Sequence, residues 1–244
     1  MKPGFALISF LLAALAACSQ DSLSKFTEVW SPVPRVVTPG RSSADAPSDA
    51  IVLFGKKKDT ANWIQGNGKA FSWKVDDTCM TVTSSGEIRT KQSFGDCQLH
   101  IEWRTPVVVK GNGQGRGNSG IFLMGRYELQ VLDSYNNPTY SNGQAGSIYK
   151  QHIPLVNVCR PPGEWQTYDV LFTAPQFYSD SSIKSPARVT VFQNGVLVQN
   201  NVELWGGTRY IGIARYEKHA VKEPLMLQDH GNPVSYRNIW IREL

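Results

Sequence analysis

Strict alternation of apolar and polar residues is the feature that most constrains how this chain folds. Residues 98–104 alternate without a fault, with Leu99, Ile101 and Trp103 on one face of the predicted strand. The same period of two recurs in four later segments, at residues 126–131, 165–173, 187–193 and 237–241. Asn194-Gly195, between two apolar runs, is typical of a two-residue hairpin turn. Since residues 51–244 show no helical period longer than two turns, the sequence predicts an all-β sandwich of two antiparallel sheets.

The N-terminal 50 residues predict export and anchoring rather than a core. Lys2 precedes a short apolar run at residues 5–14, so residues 1–17 are predicted to be a signal peptide. Residues 15–18, Leu-Ala-Ala-Cys, resemble the lipobox of bacterial lipoproteins, which makes Cys18 the predicted lipidation site. Residues 18–50 are rich in Ser, Pro, Asp and Ala and predict a flexible tether to one domain at residues 51–244. We therefore expect an exported lipoprotein of the bacterial cell envelope, held at the outer membrane, on its periplasmic side or at the cell surface.

The charge pattern argues against a nucleic-acid or nucleotide partner. The net charge of +5 falls to +4 when residues 1–17 are removed, and basic residues are not clustered among aromatic ones. The glycine-rich segment 111–117 is followed by a strand pattern at 119–123, whereas a phosphate-binding loop needs a helix there.

Three cysteines remain beside Cys18. Cys79 and Cys97 lie on strand-like segments, so a disulfide between them is an open alternative in an oxidising compartment. Cys159 is then left over, and the spacing of the three fits no zinc pattern.

The polar faces of the predicted strands carry hydrogen-bonding groups suited to a sugar. Donors and acceptors stand two residues apart in three pairs: Glu102 with Arg104, Arg126 with Glu128, and Gln228 with His230. A sheet face that presents such groups among aromatic rings suits a polyol, which needs donors, acceptors and a stacking plane.

Residues 128–133, Glu-Leu-Gln-Val-Leu-Asp, form the first catalytic candidate. Glu128 and Gln130 share a face, and a bulge after Gln130 would bring Asp133 onto it. Laminarinase-type glucanases of the concanavalin fold carry the similar pattern Glu-x-Asp-x-x-Glu. Gln130 replaces its central Asp here and Asp133 its final Glu, which argues against a mechanism that needs two carboxyls about 5–5.5 Å apart.

His230, at a predicted strand end, is the second catalytic candidate. Histidine titrates near neutrality and serves as a general base or a metal ligand. Glu128, Asp133 and His230 together are the candidate ligands of a divalent metal, either calcium, manganese or zinc.

Five ordered motifs resemble the 3-keto-disaccharide hydrolase family. They span nearly all of residues 51–244 and read NSGI (118–121), YELQVLD (127–133), GQAGSIY (143–149), PPGEWQ (161–166), and LQDHG (227–231) followed by RNI (237–239). The resemblance implies a concanavalin A-like jelly roll and an enzyme for glycosides already oxidised to a ketone at C3. A 3-ketone acidifies the C2 hydrogen, so one base can start an elimination that expels the C1 substituent, and water can then add back.

The resemblance and the motifs together suggest roles for the candidates. His230 or Glu128 is the expected base, and Arg126, Arg104 or a metal is expected to stabilise the enolate oxygen. The residues expected to bind the oligosaccharide or 3-keto-sugar are Glu102, Arg104, Asn118, Arg126, Gln130 and Gln228.

Two other functions stay open from the sequence. One is a conventional retaining glucanase that uses Glu128 and Asp133, which would cleave unoxidised β-glucan. The other is a non-catalytic surface lectin, which would bind sugars without forming product.

Overall fold

The structure, a computed structural model, describes residues 24–244. Contacts within the chain divide it after Val37. Residues 24–37 contain a short 3₁₀ helix, Lys25–Thr27, and expose Phe26 and Trp30. Cys18 and the predicted signal peptide lie outside the described residues. Within the described part of the chain, no helix is long and apolar enough to span a bilayer.

Residues 38–244 are built almost entirely from β-strands, as the alternating pattern predicts. The strands are β1 (Ile51–Phe54), β2 (Trp63–Gln65), β3 (Lys74–Val75), β4 (Met80–Thr81), β5 (Ile88–Phe94), β6 (Cys97–Arg104), β7 (Ser119–Leu123), β8 (Tyr127–Val131), β9 (Gln166–Thr173), β10 (Gln176–Phe177), β11 (Ile183–Ser185), β12 (Arg188–Gln193), β13 (Val196–Glu203), β14 (Glu223–Leu227) and β15 (Ser235–Glu243). The 3₁₀ helices are Lys57–Asn62, Gly113–Gly115 and Ser141–Gly143.

Two antiparallel sheets form the sandwich. The larger has eight strands in the order β13-β12-β9-β6-β15-β4-β3, with β1 also paired to β15. The smaller has five strands in the order β2-β5-β14-β7-β8, and β10 pairs with β11 as a separate hairpin. These two antiparallel sheets confirm the predicted all-β, concanavalin-like jelly-roll sandwich.

The core lies between the two sheets and takes alternate residues from each strand. In β6, Leu99, Ile101 and Trp103 are buried in it, on the face that the sequence predicts. Burial of such side chains contributes about 1.5–3 kcal/mol each, which is what holds the two sheets together.

Two buried tyrosines tie the large sheet to the strands of the small one. The hydroxyl of Tyr168, from β9, donates to the backbone oxygen of Gln130 at 2.8 Å. The hydroxyl of Tyr236, from β15, donates to Ser119 Oγ at 2.7 Å, and Ser119 Oγ donates to the Gln228 carbonyl at 2.6 Å. These bonds fix β7, β8 and the end of β14 relative to the core.

The last part of the predicted tether contacts the domain. Asn238 Nδ2 and Trp240 Nε1 each donate to the Ala44 carbonyl at 2.9 Å. Arg242 Nε lies 2.7 Å from Asp49 Oδ2. These bonds hold residues 44–49 against the outer face of β15.

Cys79 and Cys97 are not joined, so the disulfide that the sequence left open is absent from the structure. Cys79 directly precedes Met80, which pairs with Tyr236, whereas Cys97 pairs with Glu243 at the other end of β15. Seven residues along a strand separate these partners by about 23 Å. A disulfide needs Cα atoms within roughly 7 Å, so the register of β15 keeps the two thiols apart.

Candidate active site

A cleft of about 750 Å³ lies over the outer face of the small sheet. The register of the sheet sets Phe122 of β7 between Met226 of β14 and Glu128 of β8. Gly120 lies opposite Gln130 in the next row. Because side chains alternate between faces, Phe122, Glu128 and Gln130 point away from the core and into the cleft.

The lining of the cleft is polar and aromatic. Its charged and titratable side chains are Glu128, Lys150 and His230. Its amides and aromatic rings are Gln114, Asn118, Gln130, Gln228, Phe122, Tyr140, Tyr149 and Tyr210.

Glu128 lies at the floor of the cleft and is 4% exposed. Within residues 24–244, no group donates a hydrogen bond to its carboxyl, and burial raises its pKa to about 8. Its backbone N–H donates to Thr208 Oγ1 at 3.0 Å, which fixes the strand there. A Cβ on Gly120 would lie 2.8 Å from Glu128 Oε1, so the glycine leaves the space that the carboxyl occupies. Together these features create a buried carboxyl that gains and loses a proton near neutral pH.

Gln130 and Gln228 line the same cleft as Glu128, and each has a buried side-chain oxygen without a hydrogen-bond partner within residues 24–244. Gln130 Nε2 donates to Gln114 Oε1 at 3.0 Å and to the Gly143 carbonyl at 3.2 Å, while its Oε1 is buried without a partner. Gln228 Oε1 is buried without a partner as well. Asn118 Nδ2 donates to the Gln114 carbonyl at 2.7 Å and holds this amide network in place. An unpaired buried acceptor costs about 1–3 kcal/mol, so both oxygens favour a ligand that brings hydroxyl donors.

Lys150 supplies a cation that the sequence reasoning missed. It has a left-handed backbone, with φ of 58°, and its N–H donates to the Asn142 carbonyl at 2.8 Å. Its Nζ donates to the Tyr210 carbonyl at 2.6 Å and lies 4.2 Å from the centre of the Tyr210 ring. No motif singled this lysine out, although it directly follows the motif at residues 143–149.

Two tyrosines complete the wall beside Lys150. The hydroxyls of Tyr140 and Tyr149 are 2.6 Å apart. Burial, with a further contribution from the Tyr140 hydrogen bond, raises the pKa of Tyr149 well above its ordinary value. Tyr149 therefore keeps its proton at neutral pH.

His230 lines the same cleft but is exposed at its rim. The carboxylate of the neighbouring Asp229 is engaged by the backbone, since its two oxygens accept the N–H groups of Gly86 and Gly231 at 2.9 and 2.8 Å. The structure thus brings together Glu128, His230, Asn118, Gln130 and Gln228 from the sequence-derived set.

The structure does not bring Asp133 to this cleft. The strand β8 ends at Val131, and Asp133 Oδ2 lies 2.7 Å from Arg116 Nε, while its Oδ1 accepts the Tyr135 N–H at 3.2 Å. Asp133 lines a separate cavity of about 300 Å³. The expected bulge after Gln130 therefore does not place a second carboxyl beside Glu128.

The predicted metal ligands do not converge. Asp133 is held by Arg116, away from Glu128 and His230. Within residues 24–244, no three side chains of His, Cys, Asp or Glu are grouped in a way that could hold a metal ion. The donor set that the sequence suggested does not fit a metal in this arrangement.

Arg126 borders the cleft but is paired elsewhere. Its Nε and Nη2 lie 2.5 and 3.1 Å from the two carboxylate oxygens of Glu223. It lines a neighbouring cavity of about 220 Å³ that shares Phe122 and Thr208 with the cleft. The expected role of Arg126 at the enolate oxygen is not supported by this position.

Glu102 and Arg104 lie on the outer face of the large sheet, on the other side of the sandwich. Glu102 accepts from Arg237 Nε at 2.6 Å and from Asn238 Nδ2 at 2.9 Å. Burial disfavours its charged form, but hydrogen bonds from His100, Asn238 and Arg237 outweigh burial and lower the pKa of Glu102 to about 2. The Arg104 guanidinium lies 4.6 Å from the centre of the Trp165 ring. Their period-two pattern predicts an outward face correctly, but it does not say on which sheet.

Comparison with known proteins identifies the family. The model of the 3-keto-alpha-glucoside-1,2-lyase-like domain matches residues 49–242. The chain belongs to this family.

Relatives of this family member agree with the assignment. A Bacteroides thetaiotaomicron protein named 3-keto-disaccharide hydrolase is 23% identical over 254 residues, which cover 83% of this chain and 82% of that protein. A Parabacteroides distasonis protein of known structure, provisionally named a glycosyl hydrolase, is 52% identical with a TM-score of 0.86, over 90% of this chain and 96% of that one. A second P. distasonis structure, at 22% identity and a TM-score of 0.57 over 80% of this chain and 94% of that one, shares the fold. This family member is thus a carbohydrate-active enzyme of the glycoside hydrolase type, as the sequence predicts.

The raised pKa of Glu128 predicts that its carboxyl destabilises the fold at alkaline pH. The native pKa of about 8 exceeds the ordinary value of 4.5, so the native state holds a proton that the unfolded state has lost between these pH values. Stability is therefore lost as pH rises through this window, by up to about 5 kcal/mol. Glu128→Gln should unfold at the same temperature as the wild type near pH 4 and at a higher one at pH 8. Thermal unfolding followed by circular dichroism at each pH checks this prediction. Glu164→Gln, which removes an exposed carboxyl, is the control. If the unfolding temperatures of wild type and Glu128→Gln depend on pH in the same way, the carboxyl is not buried and unpaired.

Proposed function

We propose that this enzyme cleaves glycosides whose sugar ring carries a ketone at C3, with Glu128 as the group that moves the C2 proton. The observation that carries the proposal is the state of Glu128 itself, which is buried, unpaired and raised in pKa to about 8. A base with a pKa near the working pH is suited to removing a proton next to a carbonyl group.

The chemistry needs one base. Glu128 takes the C2 proton, and the electrons form an enediolate with the C3 oxygen. The enediolate then collapses, the C1–O bond breaks, and the leaving oxygen takes a proton from a general acid of the cleft. Water adds at C1 of the resulting unsaturated ketone and gives up a proton that restores this acid, and Glu128 returns its own proton to C2. The net result is hydrolysis of the glycosidic bond.

The single carboxyl of the cleft favours this route over a retaining glucanase. A retaining mechanism needs two carboxyls about 5–5.5 Å apart. Among the described residues that line the cleft, Glu128 is the one carboxylate, and Asp133 is engaged by Arg116 in another cavity. An elimination started by one base fits this arrangement.

Lys150 is the cation suited to stabilise the enediolate oxygen. Its ammonium group lines the cleft with Glu128, whereas Arg126 is paired with Glu223 and Arg104 lies on the other sheet. A fixed positive charge in a partly dry cleft stabilises the negative charge that develops in the transition state. His230, at the rim, has the chemistry to give a proton to the leaving oxygen.

The unpaired oxygens of Gln130 and Gln228 suit the remaining hydroxyls of the sugar. Each would accept one hydroxyl donor, which removes the cost of leaving it unpaired. The family description and the name of the B. thetaiotaomicron relative support 3-keto-glucosides as the substrate class.

The first prediction is that the enzyme releases the aglycone from a 3-keto-glucoside and not from the matching unoxidised glucoside. Glu128→Gln should lower the rate by about 10²–10⁴-fold, the usual contribution of a general base. In the wild type, kcat/KM should rise with pH through about 8, because the base must be ionised.

A chelator should leave the rate unchanged, since the candidate ligands do not converge.

Two results would overturn the proposal in different directions. Cleavage of the unoxidised glucoside at a comparable rate would favour the glucanase, and saturable binding of both sugars without product would favour the lectin. Glu164→Gln is the matched control, since it removes an exposed carboxylate remote in sequence from the cleft residues.

The second prediction concerns Lys150. Lys150→Met should lower kcat on the 3-keto-glucoside by about 100-fold with a much smaller change in KM, because the charge is needed chiefly in the transition state. Lys150→Arg should retain part of the activity, and Lys57→Met, on an exposed 3₁₀ helix, should behave as the wild type. An unchanged kcat in Lys150→Met would remove Lys150 from the mechanism.

The third prediction concerns location. We propose that the protein is exported and anchored to the bacterial envelope through lipid on Cys18, as its sequence pattern indicates. Full-length protein made in a bacterial host should incorporate labelled palmitate and enter the detergent phase, whereas Cys18→Ala should do neither. Equal behaviour of the two proteins would contradict the anchor.

A further inference from the structure

Trp205 is the exposed tryptophan of residues 38–244. Its side chain is 51% exposed, two residues beyond the end of β13. Trp63, Trp73, Trp103 and Trp240 are buried, and the guanidinium groups of Arg104 and Arg237 cover Trp165. An exposed indole, in a domain that buries or covers its other indoles, suits a binding surface, where tryptophan is enriched.

Hydrogen bonds fix the backbone of Trp205, and a neighbouring ring packs against its indole. The backbone N–H of Trp205 donates to Gln151 Oε1 at 2.7 Å, and Gln151 Nε2 donates to the Gly206 carbonyl at 3.0 Å. The His152 ring packs edge-on against the indole, with centroids 5.2 Å apart, and its Nε2 lies 2.7 Å from the Glu203 carbonyl oxygen. A buried glutamine and a packed imidazole thus fix the backbone and ring of an exposed side chain, which lowers the entropy cost of stacking a ligand on it.

The surface of Trp205 is continuous with the cleft. It lines a cavity of about 100 Å³, and Tyr149 and Lys150 line both this cavity and the cleft. Thr208, which accepts the Glu128 N–H, follows Trp205 by three residues, so their Cα atoms are at most about 11 Å apart. A two-ring ligand with one ring over Glu128 would therefore extend past Lys150 toward the cavity that Trp205 lines.

We propose that Trp205 is the stacking platform for the second sugar ring, the one that leaves, and so makes the enzyme selective for disaccharides. The inference rests on the proposed function, which sets the oxidised ring over Glu128. The ring joined through C1 then extends beyond Lys150, where the face of the indole meets the apolar C–H face of a pyranose. Arg209 lines the same cavity, and its Nη2 is engaged by Glu217 Oε1 at 2.6 Å, so the proposal rests on the indole alone.

The experiment compares two classes of substrate, disaccharides and a single-ring glucoside, in the full-length enzyme. Trp205→Ala should lower kcat/KM about tenfold for the 3-keto derivatives of cellobiose, maltose or trehalose, mainly through KM, and change it less than about twofold for methyl 3-keto-glucoside. Trp205→Phe should recover much of the loss, and Tyr178→Ala, an equally exposed aromatic on the β10–β11 hairpin, should match the wild type. Equal losses on both substrates, or none on the disaccharides, would overturn the proposal.

A binding measurement separates this inference from the proposed function. Saturation-transfer NMR with the unoxidised disaccharides should show contact from both rings in the wild type and from one ring in Trp205→Ala. This readout needs no turnover, so it tests the platform even if no keto sugar is cleaved. Identical transfer in the two proteins, or no binding by the wild type, would exclude Trp205 as the platform.

Discussion

The pairing of β7 with β8 in a single register is the constraint on which the site depends. Gly120 opposite Gln130 and Phe122 opposite Glu128 place the carboxyl on the outer face and Leu129 in the core. A slip of one residue would exchange the two faces and bury apolar and polar groups on the wrong sides. The hydrogen bond from the Tyr168 hydroxyl, on the large sheet, to the Gln130 carbonyl stabilises this register from the core side.

The cleft contains buried polar groups that lower the stability of the fold. Burial keeps Glu128 without a partner and raises its pKa to about 8, and the oxygens of Gln130 and Gln228 are left without donors. A protein selected for stability alone would pair or expose such groups. Their concentration at one end of one sheet is typical of a ligand site, since a bound polyol can satisfy groups that the fold leaves open.

Charge is distributed differently across the two outer faces. On the large sheet, Glu102, Arg104 and Arg237 are engaged with one another or with Trp165, and Glu102 is ionised over the whole physiological range. In the cleft, Lys150 is the cation and Glu128 is an acid whose pKa of about 8 keeps it largely protonated at neutral pH. Within residues 24–244, the two side chains form no ion pair with each other. The first arrangement stabilises a surface, and the second leaves both groups without a charged partner.

The sequence by itself determined the sandwich, the outward direction of Glu128 and Gln130, and the family. These follow from local information, because a period of two assigns faces and the ordered motifs occupy short segments. Only the tertiary structure decided which of the outward-facing side chains lie close together. It separated Glu102 and Asp133 from the cleft, and it brought Lys150 there through a left-handed backbone. The physical reason is that alternation fixes a side chain's direction within its strand, whereas strand order and loop geometry, which depend on the packing of distant segments, fix its neighbours.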